Sequence, residues 1–324
     1  MQKAHPVTLT CIIATYNRKR YLPELLSSLS KAILKSADLI KFEVVFVVNG
    51  ADPDSKQLIE KDFQACKTKI IQLQERVSPA QARNHGAESC NSDWISFLDD
   101  DISLPEDYFI NFIELCTSGE NCDILGGPNV NPTNSNPSEK KVGQLMANPF
   151  ITGPMFARYT KNNSSFLPPR FKMTLCNLFV KNNLFLKIKF QSSFVTAEEN
   201  DFMLQAEALG AAFKFSEKIY VQHYRRSSFE HFTAQIKNYG VGRGQIIKRH
   251  KQKYFLHLFF IFLMFLLLLI NTKVSFYLLS AFYFTAVFSV LFTKSFWSVP
   301  QIFYIPIVVW SNYVFGIFKG LFLK

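Results

Sequence analysis

The stretch that most limits what this chain can fold into is WISFLDDD, residues 94–101, an apolar run that ends in three adjacent carboxylates. Bulky side chains on both faces of a strand are stable only when the sheet is covered on both sides. Three neighbouring acids repel one another and resist ionising together unless a cation sits among them. In open α/β sheets the carboxyl end of a strand is also where ligands bind. A solvated acidic turn is the competing reading of these eight residues, and the surrounding pattern argues against it.

Upstream, strands are expected at 7–14 (VTLTCIIA), 42–48 (FEVVFVV) and 69–73, with helices at about 21–34, 54–66 and 80–90 between them. Such repetition argues for right-handed βαβ units and a mostly parallel sheet. A helix near 105–116 and a strand at 123–126 extend it. Residues 129–171 are rich in Asn, Pro and Ser and show no period, and a stretch of that length without regular structure is usually functional. Beyond it, order is expected at 174–180, in an acidic-headed helix at 198–209 closed by Gly210, and in a strand at 213–221. Residues 229–250 have the pattern of a basic amphipathic helix interrupted by glycines at 240–244 (GVGRG), suited to a lipid headgroup layer.

The last seventy residues are of a different kind. Three apolar runs, 254–270, 274–292 and 299–318, are each close to the roughly 20 residues a bilayer core requires. Six Lys and Arg residues lie between Lys237 and Lys253, against Lys273 alone in the 271–273 loop. That bias places the preceding domain in the cytoplasm. Three full spans would carry the C-terminus to the far side, although Pro306 could make the last segment re-entrant. The net charge of +11 is thus explained by a membrane flank better than by nucleic acid, and no nucleic-acid partner is expected. The six cysteines form no CxxC pair and read as reduced thiols of a cytosolic domain. No secretory signal peptide is expected at the N-terminus.

Five motifs stand in order: CIIATYNR at 11–18, ARNHG at 82–86, FLDDD at 97–101, AEENDF at 197–202 and HYRR at 223–226. Together they resemble the inverting family 2 glycosyltransferases with a GT-A fold, over about residues 7–245. The basic segment followed by apolar runs is similar to the membrane-attached, exopolysaccharide-building branch typified by succinoglycan glucosyltransferases. The resemblance implies an α/β, Rossmann-like nucleotide-sugar domain over 1–228, an interfacial segment at 229–253 and a membrane anchor at 254–324.

Chemistry can be argued from the residues alone. A nucleotide sugar leaves as a diphosphate, and a hard cation on carboxylate oxygens neutralises that charge. Alternate residues of an extended segment share a face, so Asp99 and Asp101 address one ligand while Asp100 turns aside. By resemblance, Asp99 lies near the ribose, and Asp101 with His223 binds Mg²⁺ or Mn²⁺, while Arg226 completes the diphosphate site. Glu198, Glu199 and Asp201 are acids in a helix's first turn, where capping competes with catalysis. Alignment on the family's motif gives Glu199 the base position with Asp201 following, but a Glu stands where the family commonly has Asp, so Glu199 and Asp201 both stay candidates for the base. The resemblance also places Thr15, Tyr16 and Asn49 at the nucleotide, Arg83 at the phosphates and Asn177 in the sugar pocket. Asn49 and Val48 replace acids common in relatives, which weakens a uridine-specific reading.

The expected function is a single inverting transfer of a hexose from a nucleotide sugar, with a UDP-sugar as the expected donor. A degenerate segment at 235–239 (QIKNY) argues against a processive synthase. The expected acceptor is a lipid-linked saccharide, in exopolysaccharide, capsule or cell-envelope synthesis at the inner membrane. Transfer to polyprenyl phosphate itself and an idle scaffold of a glycan-assembly complex are the alternatives.

Overall fold

The computed structural model describes residues 6–88, 90–161, 167–225, 228–251, 272–291 and 299–323. The chain divides into two compact units. One comprises residues up to Ser135 together with Ala157–Ser193 and Glu198–Arg225; the other comprises Asn136–Phe156, Phe194–Ala197 and the chain from Arg226 onward.

The first unit is an α/β domain. Its elements alternate as expected: β1 (Val7–Thr15), α1 (Leu22–Ser36), β2 (Ile40–Val48), α2 (Pro53–Asp62), β3 (Lys67–Gln72), α3 (Pro79–Ala87) and β4 (Trp94–Leu98). Then come β5 (Ile102–Ser103), α4 (Tyr108–Cys116), β6 (Ile124–Gly126) and β7 (Asn129–Val130). A seven-stranded sheet has the order β3-β2-β1-β4-β8-β6-β9, where β8 is Asn177–Lys181 and β9 is Phe213–Phe215. Strands β3, β2, β1 and β4 run parallel, and β8 lies antiparallel between β4 and β6.

The apolar strands are covered on both faces, as their composition demands. One cluster packs Leu25, Leu29 and Phe109 against Cys11, Phe46 and Leu98; the other packs Ile12, Val47 and Phe97 against Ala82, Phe185 and Phe202. Gly86 of α3 sits so close to Ile12 and Val47 that a Cβ would reach 3.0 Å from Val47 Cγ2 and closer still to Ile12. That helix therefore lies directly on the sheet.

Residues 213–221, expected as one strand, form two. β9 extends the large sheet, while β10 (Val221–His223) joins a separate three-stranded sheet between β5 and β7. Gly127 packs against the backbone of the turn at 216–220, where a Cβ would have no room beside the carbonyls of Ser216 and Ile219. The stretch 129–171 is more ordered than its composition implies. It holds β7, α5 (Pro137–Met146), α6 (Pro149–Thr152), the 3₁₀ turn Gly153–Arg158 and α7 (Pro169–Lys172). A capping box between Asn136 and Glu139 starts α5.

The second unit is helical. α10 (Phe229–Arg249) follows α8 (Asn182–Ile188) and α9 (Glu198–Ala208) in the chain, and two more helices occupy Thr272–Leu291 and Val299–Phe322. The expected glycine interruption of α10 does not occur. Gly240 and Gly244 lie against Gly316 and Gly320 of the last helix, so packing outweighs their weak helix propensity. Pro306 lies inside one continuous helix, which excludes a re-entrant turn there. Of the three expected spans, 254–270 lies outside the described residues and 274–292 is helical through Leu291. Among the described residues, Ile302–Phe322 is the one helix long and apolar enough to cross a membrane.

Candidate active site

Strands β1 and β4 are parallel neighbours, with Ile13 opposite Leu98. From β1 the chain winds one way through β2 and β3, then returns across β1 to β4. Their carboxyl ends thus flank a topological switch point, the crevice where such sheets bind ligands. Thr15 and Tyr16 leave one lip and Asp99, Asp100 and Asp101 leave the other.

The three acids diverge as the alternation requires. Asp99 Oδ1 accepts from Arg83 Nη2 at 2.6 Å, and Asp101 Oδ1 lies 3.2 Å from His223 Nε2, with Asp99 Oδ2 at 3.8 Å from the same nitrogen. Asp100 faces Arg18, whose guanidinium stands 3.5 Å from both Asp100 and Asp101. Burial pushes the Asp99 carboxyl up, but Arg83 and His223 more than reverse this and hold it below the usual range. Asp100 has weaker compensation. Burial and the neighbouring Asp101 raise its carboxyl to about 7 despite Arg18.

His223 ends β10 and is held from behind. Its Nδ1 lies 3.3 Å from Arg225 Nη1, and Arg225 in turn donates to Asn129 Oδ1 at 2.6 Å and Asn131 Oδ1 at 3.2 Å. Burial draws the imidazole down, but Asp101 and Asp99 outweigh it and hold His223 above its ordinary value. Ligand atoms of Asp99, His223 and Cys176 all lie within 4.8 Å of one another. Carboxylates and an imidazole suit Mg²⁺ or Mn²⁺, so the donor set fits such a cation. Cys176 fits less well, since burial and Asp99 raise its thiol to about 12.

The acids that open α9 occupy three environments. Glu198 is buried and its Oε1 sits 3.3 Å from Arg83 Nη1, so Arg83 joins the strand-end acid Asp99 to the helix. Burial and Glu199 raise Glu198 to about 7, with Arg83 pulling the other way. Glu199 is less enclosed. Its Oε1 accepts from Asn200 Nδ2 at 3.1 Å and lies 3.7 Å from Arg158 Nη1. Arg158 is itself fixed by the Phe171 carbonyl at 2.8 Å and Asn200 Oδ1 at 3.0 Å. Asp201 is fully buried and accepts from Gln205 at 2.8 Å. Glu199 and Asp201 thus differ in exposure, the first partly open and the second enclosed.

The residues expected at the nucleotide also divide. Thr15 is buried at the end of β1, whereas Tyr16 is exposed, with Arg76 stacked 4.5 Å from its ring centroid. Asn17 holds a positive φ of 54° while its N–H donates to Asp52 at 2.6 Å, which fixes the loop after β1. Asn49 is spent on the backbone: its amide donates to the Val77 carbonyl at 3.0 Å and accepts from the Val77 N–H at 2.9 Å. Asn177 starts β8. It is fully buried, accepting from Tyr108 Oη at 2.6 Å and donating to the Ile219 carbonyl at 2.8 Å. A polar side chain deep in a strand must be satisfied on both sides, and here that demand gives it a structural task. Arg226 lies outside the described residues.

Arg18, Arg158 and Arg225 join the site without having been expected there. Arg18 belongs to the first motif and Arg225 adjoins Arg226, so position alone signalled two of them. Arg158 sits in the stretch without a period, and nothing in its sequence neighbourhood marks it.

Residues 10–181 match the family model described as glycosyl transferase family 2, more than half of the chain, and the protein belongs to that family. A 93-residue stretch is 31% identical to an uncharacterized glycosyltransferase of Haemophilus influenzae, covering 29% of each chain. The chain thus spans under a third of that relative's length. Among solved structures, Staphylococcus aureus TarS 1-349 in complex with UDP-GlcNAc superposes with a TM-score of 0.52 at 20% identity, covering 77% of this chain and 73% of the other. A mannosyltransferase from Pyrobaculum calidifontis, in complex with GDP-Man and Mn²⁺, gives 0.51 at 14% identity over 76% and 64%. These likenesses establish the GT-A fold.

Proposed function

We propose that the protein is a membrane-attached inverting glycosyltransferase that moves one sugar from a nucleotide sugar to a lipid-linked saccharide. The observation that carries this reading is the convergence at the β1/β4 crevice. There Asp99 and Asp101 share His223, and Arg83 ties Asp99 to the acids of α9. Asp101 and His223, with Asp99 beside them, would hold Mg²⁺ or Mn²⁺, which when bound neutralises the charge of the departing diphosphate.

The chain's own groups supply the rest. Glu199 opens a helix, where the backbone N–H groups favour a carboxylate, and Arg158 and Asn200 fix its orientation. It takes the proton from an acceptor hydroxyl. That oxygen bonds to the anomeric carbon as the bond to the nucleoside diphosphate breaks, and a single displacement inverts the configuration. Arg83 favours the charged form of Asp99, and the Arg18 guanidinium stands beside Asp100 and Asp101. The exposed Tyr16 ring, backed by Arg76, offers a face for the nucleotide base.

A UDP-sugar is the first donor to test, since TarS was solved with UDP-GlcNAc. The basic residues from Lys237 onward support a catalytic domain on the cytoplasmic face of the cell membrane, and exopolysaccharide, capsule or cell-envelope assembly as the setting. The test is nucleoside diphosphate release by the detergent-purified protein from a panel of nucleotide sugars, with and without membrane lipid extract. Lipid-stimulated release from one donor is expected. Release that lipid does not stimulate would remove the lipid-linked acceptor, and no release from any donor would remove transfer itself.

A further inference from the structure

The helix apolar enough to cross a membrane is packed, along its whole length, on one that is not. Phe229 of α10 meets Tyr304, Lys237 lies over Phe315, Gly240 touches Gly316, Gly244 touches Gly320 and Lys248 reaches the Leu323 carbonyl. The offset between partners stays nearly constant, so α10 and Val299–Phe322 run parallel and in register. Contact is backbone to backbone: a Cβ on Gly240 would come within 2.9 Å of Gly316 Cα, and one on Gly244 within 2.9 Å of Gly320 Cα. Small residues at this spacing let two helices approach as closely as helices can.

This pairing puts both helices at one depth. α10 carries Glu230, His231, Gln235, Lys237, Asn238, Arg243, Gln245, Lys248 and Arg249 around its surface, and charged side chains near a bilayer centre are costly. A helix so closely joined to α10 cannot stand upright through the hydrocarbon without taking those charges with it. Yet its outer face, Phe303, Ile307, Val314, Phe315, Phe318 and Phe322, is exposed at helical spacing. An apolar stripe beside a basic, nearly acid-free partner is complementary to an anionic lipid surface.

We infer that α10 and Val299–Phe322 form a paired interfacial platform. It lies along the cytoplasmic face of an anionic bilayer, its phenylalanine stripe sunk to the headgroup boundary, and the last helix does not cross. With both helices on one face, the end of the last helix lies on the same side as α10. The C-terminus then returns to the side of the catalytic domain, contrary to three full spans. The inference deepens the membrane attachment proposed above and is independent of which sugar is moved.

The full chain, tagged at both termini, is prepared in sealed right-side-out and inside-out vesicles containing phosphatidylglycerol, and each tag is tested for protease access. Parallel samples carry photoactivatable phospholipids with the reactive group beside the headgroup or at the acyl terminus, and labelled peptides are mapped. Both tags are expected to be cut in the same vesicle orientation, with peptides from 302–323 labelled by the headgroup probe and at least fivefold less by the acyl-terminal probe. Tags on opposite sides would overturn the inference, as would dominant acyl-terminal labelling. Labelling by neither probe would overturn it too, by showing a helix pair away from lipid. Neither readout depends on sugar transfer, so loss of activity and failure of the platform are distinguishable.

Discussion

Replacing Arg83 with methionine removes the cation that joins the two halves of the site while keeping the volume of its stem. Arg83 stands between Asp99 at 2.6 Å and Glu198 at 3.3 Å, with a side chain only 10% exposed. Breaking a buried pair by removing one partner costs about 3–5 kcal/mol when the remaining charge cannot escape. Here two features reduce that figure. Asp99 keeps some solvent contact, with its side chain 26% exposed, and His223 as a second partner. Glu198, already raised to about 7, can take a proton. The expected loss is therefore roughly 2–3 kcal/mol at pH 8, where Glu198 is ionised and needs its partner, and about half that at pH 6, where a neutral carboxyl does not. All six cysteines lie in the α/β unit, so a thiol-reactive dye reports the melting of that unit in detergent. At about 2–4 °C per kcal/mol for a domain of this size, the melting temperature should fall by roughly 5–10 °C at pH 8 and visibly less at pH 6. A fall below about 2 °C, or an equal fall at both pH values, would refute the bridging role. Arg83→Lys should recover part of the stability, since one ammonium cannot satisfy both carboxylates at once.

Further outcomes follow from the same geometry. Glu199→Gln should lower turnover by about 10²–10⁴ with donor affinity unchanged in calorimetry, whereas Asp201→Asn should act mainly on melting temperature. The Asp100 carboxyl, raised from 3.8 to about 7, binds a proton in the folded state that the unfolded chain has lost, so its contribution to stability declines as pH rises from about 4 to 7. Asp100→Asn should therefore raise the melting temperature at pH 8 and flatten that decline; an unchanged pH profile would contradict the burial argument. Asn177→Ala strands the Tyr108 hydroxyl and the Ile219 carbonyl at a cost of about 2–4 kcal/mol. It should leave the KM for the donor sugar unchanged in the surviving fold, and a selective rise in KM would restore Asn177 to the pocket.

Much of the α/β unit was legible because its physics is local. β1, β2 and β4 are buried on both faces, and only continuous apolar runs survive there. The acids after β4 stood out because three carboxylates at a strand end need compensation, and the structure supplies it through Arg83, His223 and Arg18. What was not legible depends on contacts distant in the chain. Gly240 and Gly244 looked like a break in α10, because their partners Gly316 and Gly320 lie about seventy-five residues away. The buried bonds of Asn177 were not legible because its partners Tyr108 and Ile219 come from other elements. Residues 213–221 kept strand composition throughout, so only the backbone contact at Gly127 reveals the turn that divides them. The capping pattern Asn136-Pro-Ser-Glu139 was a readable helix start within 129–171 that composition obscured.

On the function proposed above, the acid-ended strand holds the leaving diphosphate through a divalent cation. Its most direct test is nucleoside diphosphate release from the preferred nucleotide sugar as Mn²⁺ is titrated into metal-stripped protein, for the wild type and for Asp101→Asn. Saturable activation is expected in the wild type, and in the variant either no activation or a need for at least tenfold more Mn²⁺. Full activity of the stripped wild type, or an identical Mn²⁺ response in Asp101→Asn, would contradict it.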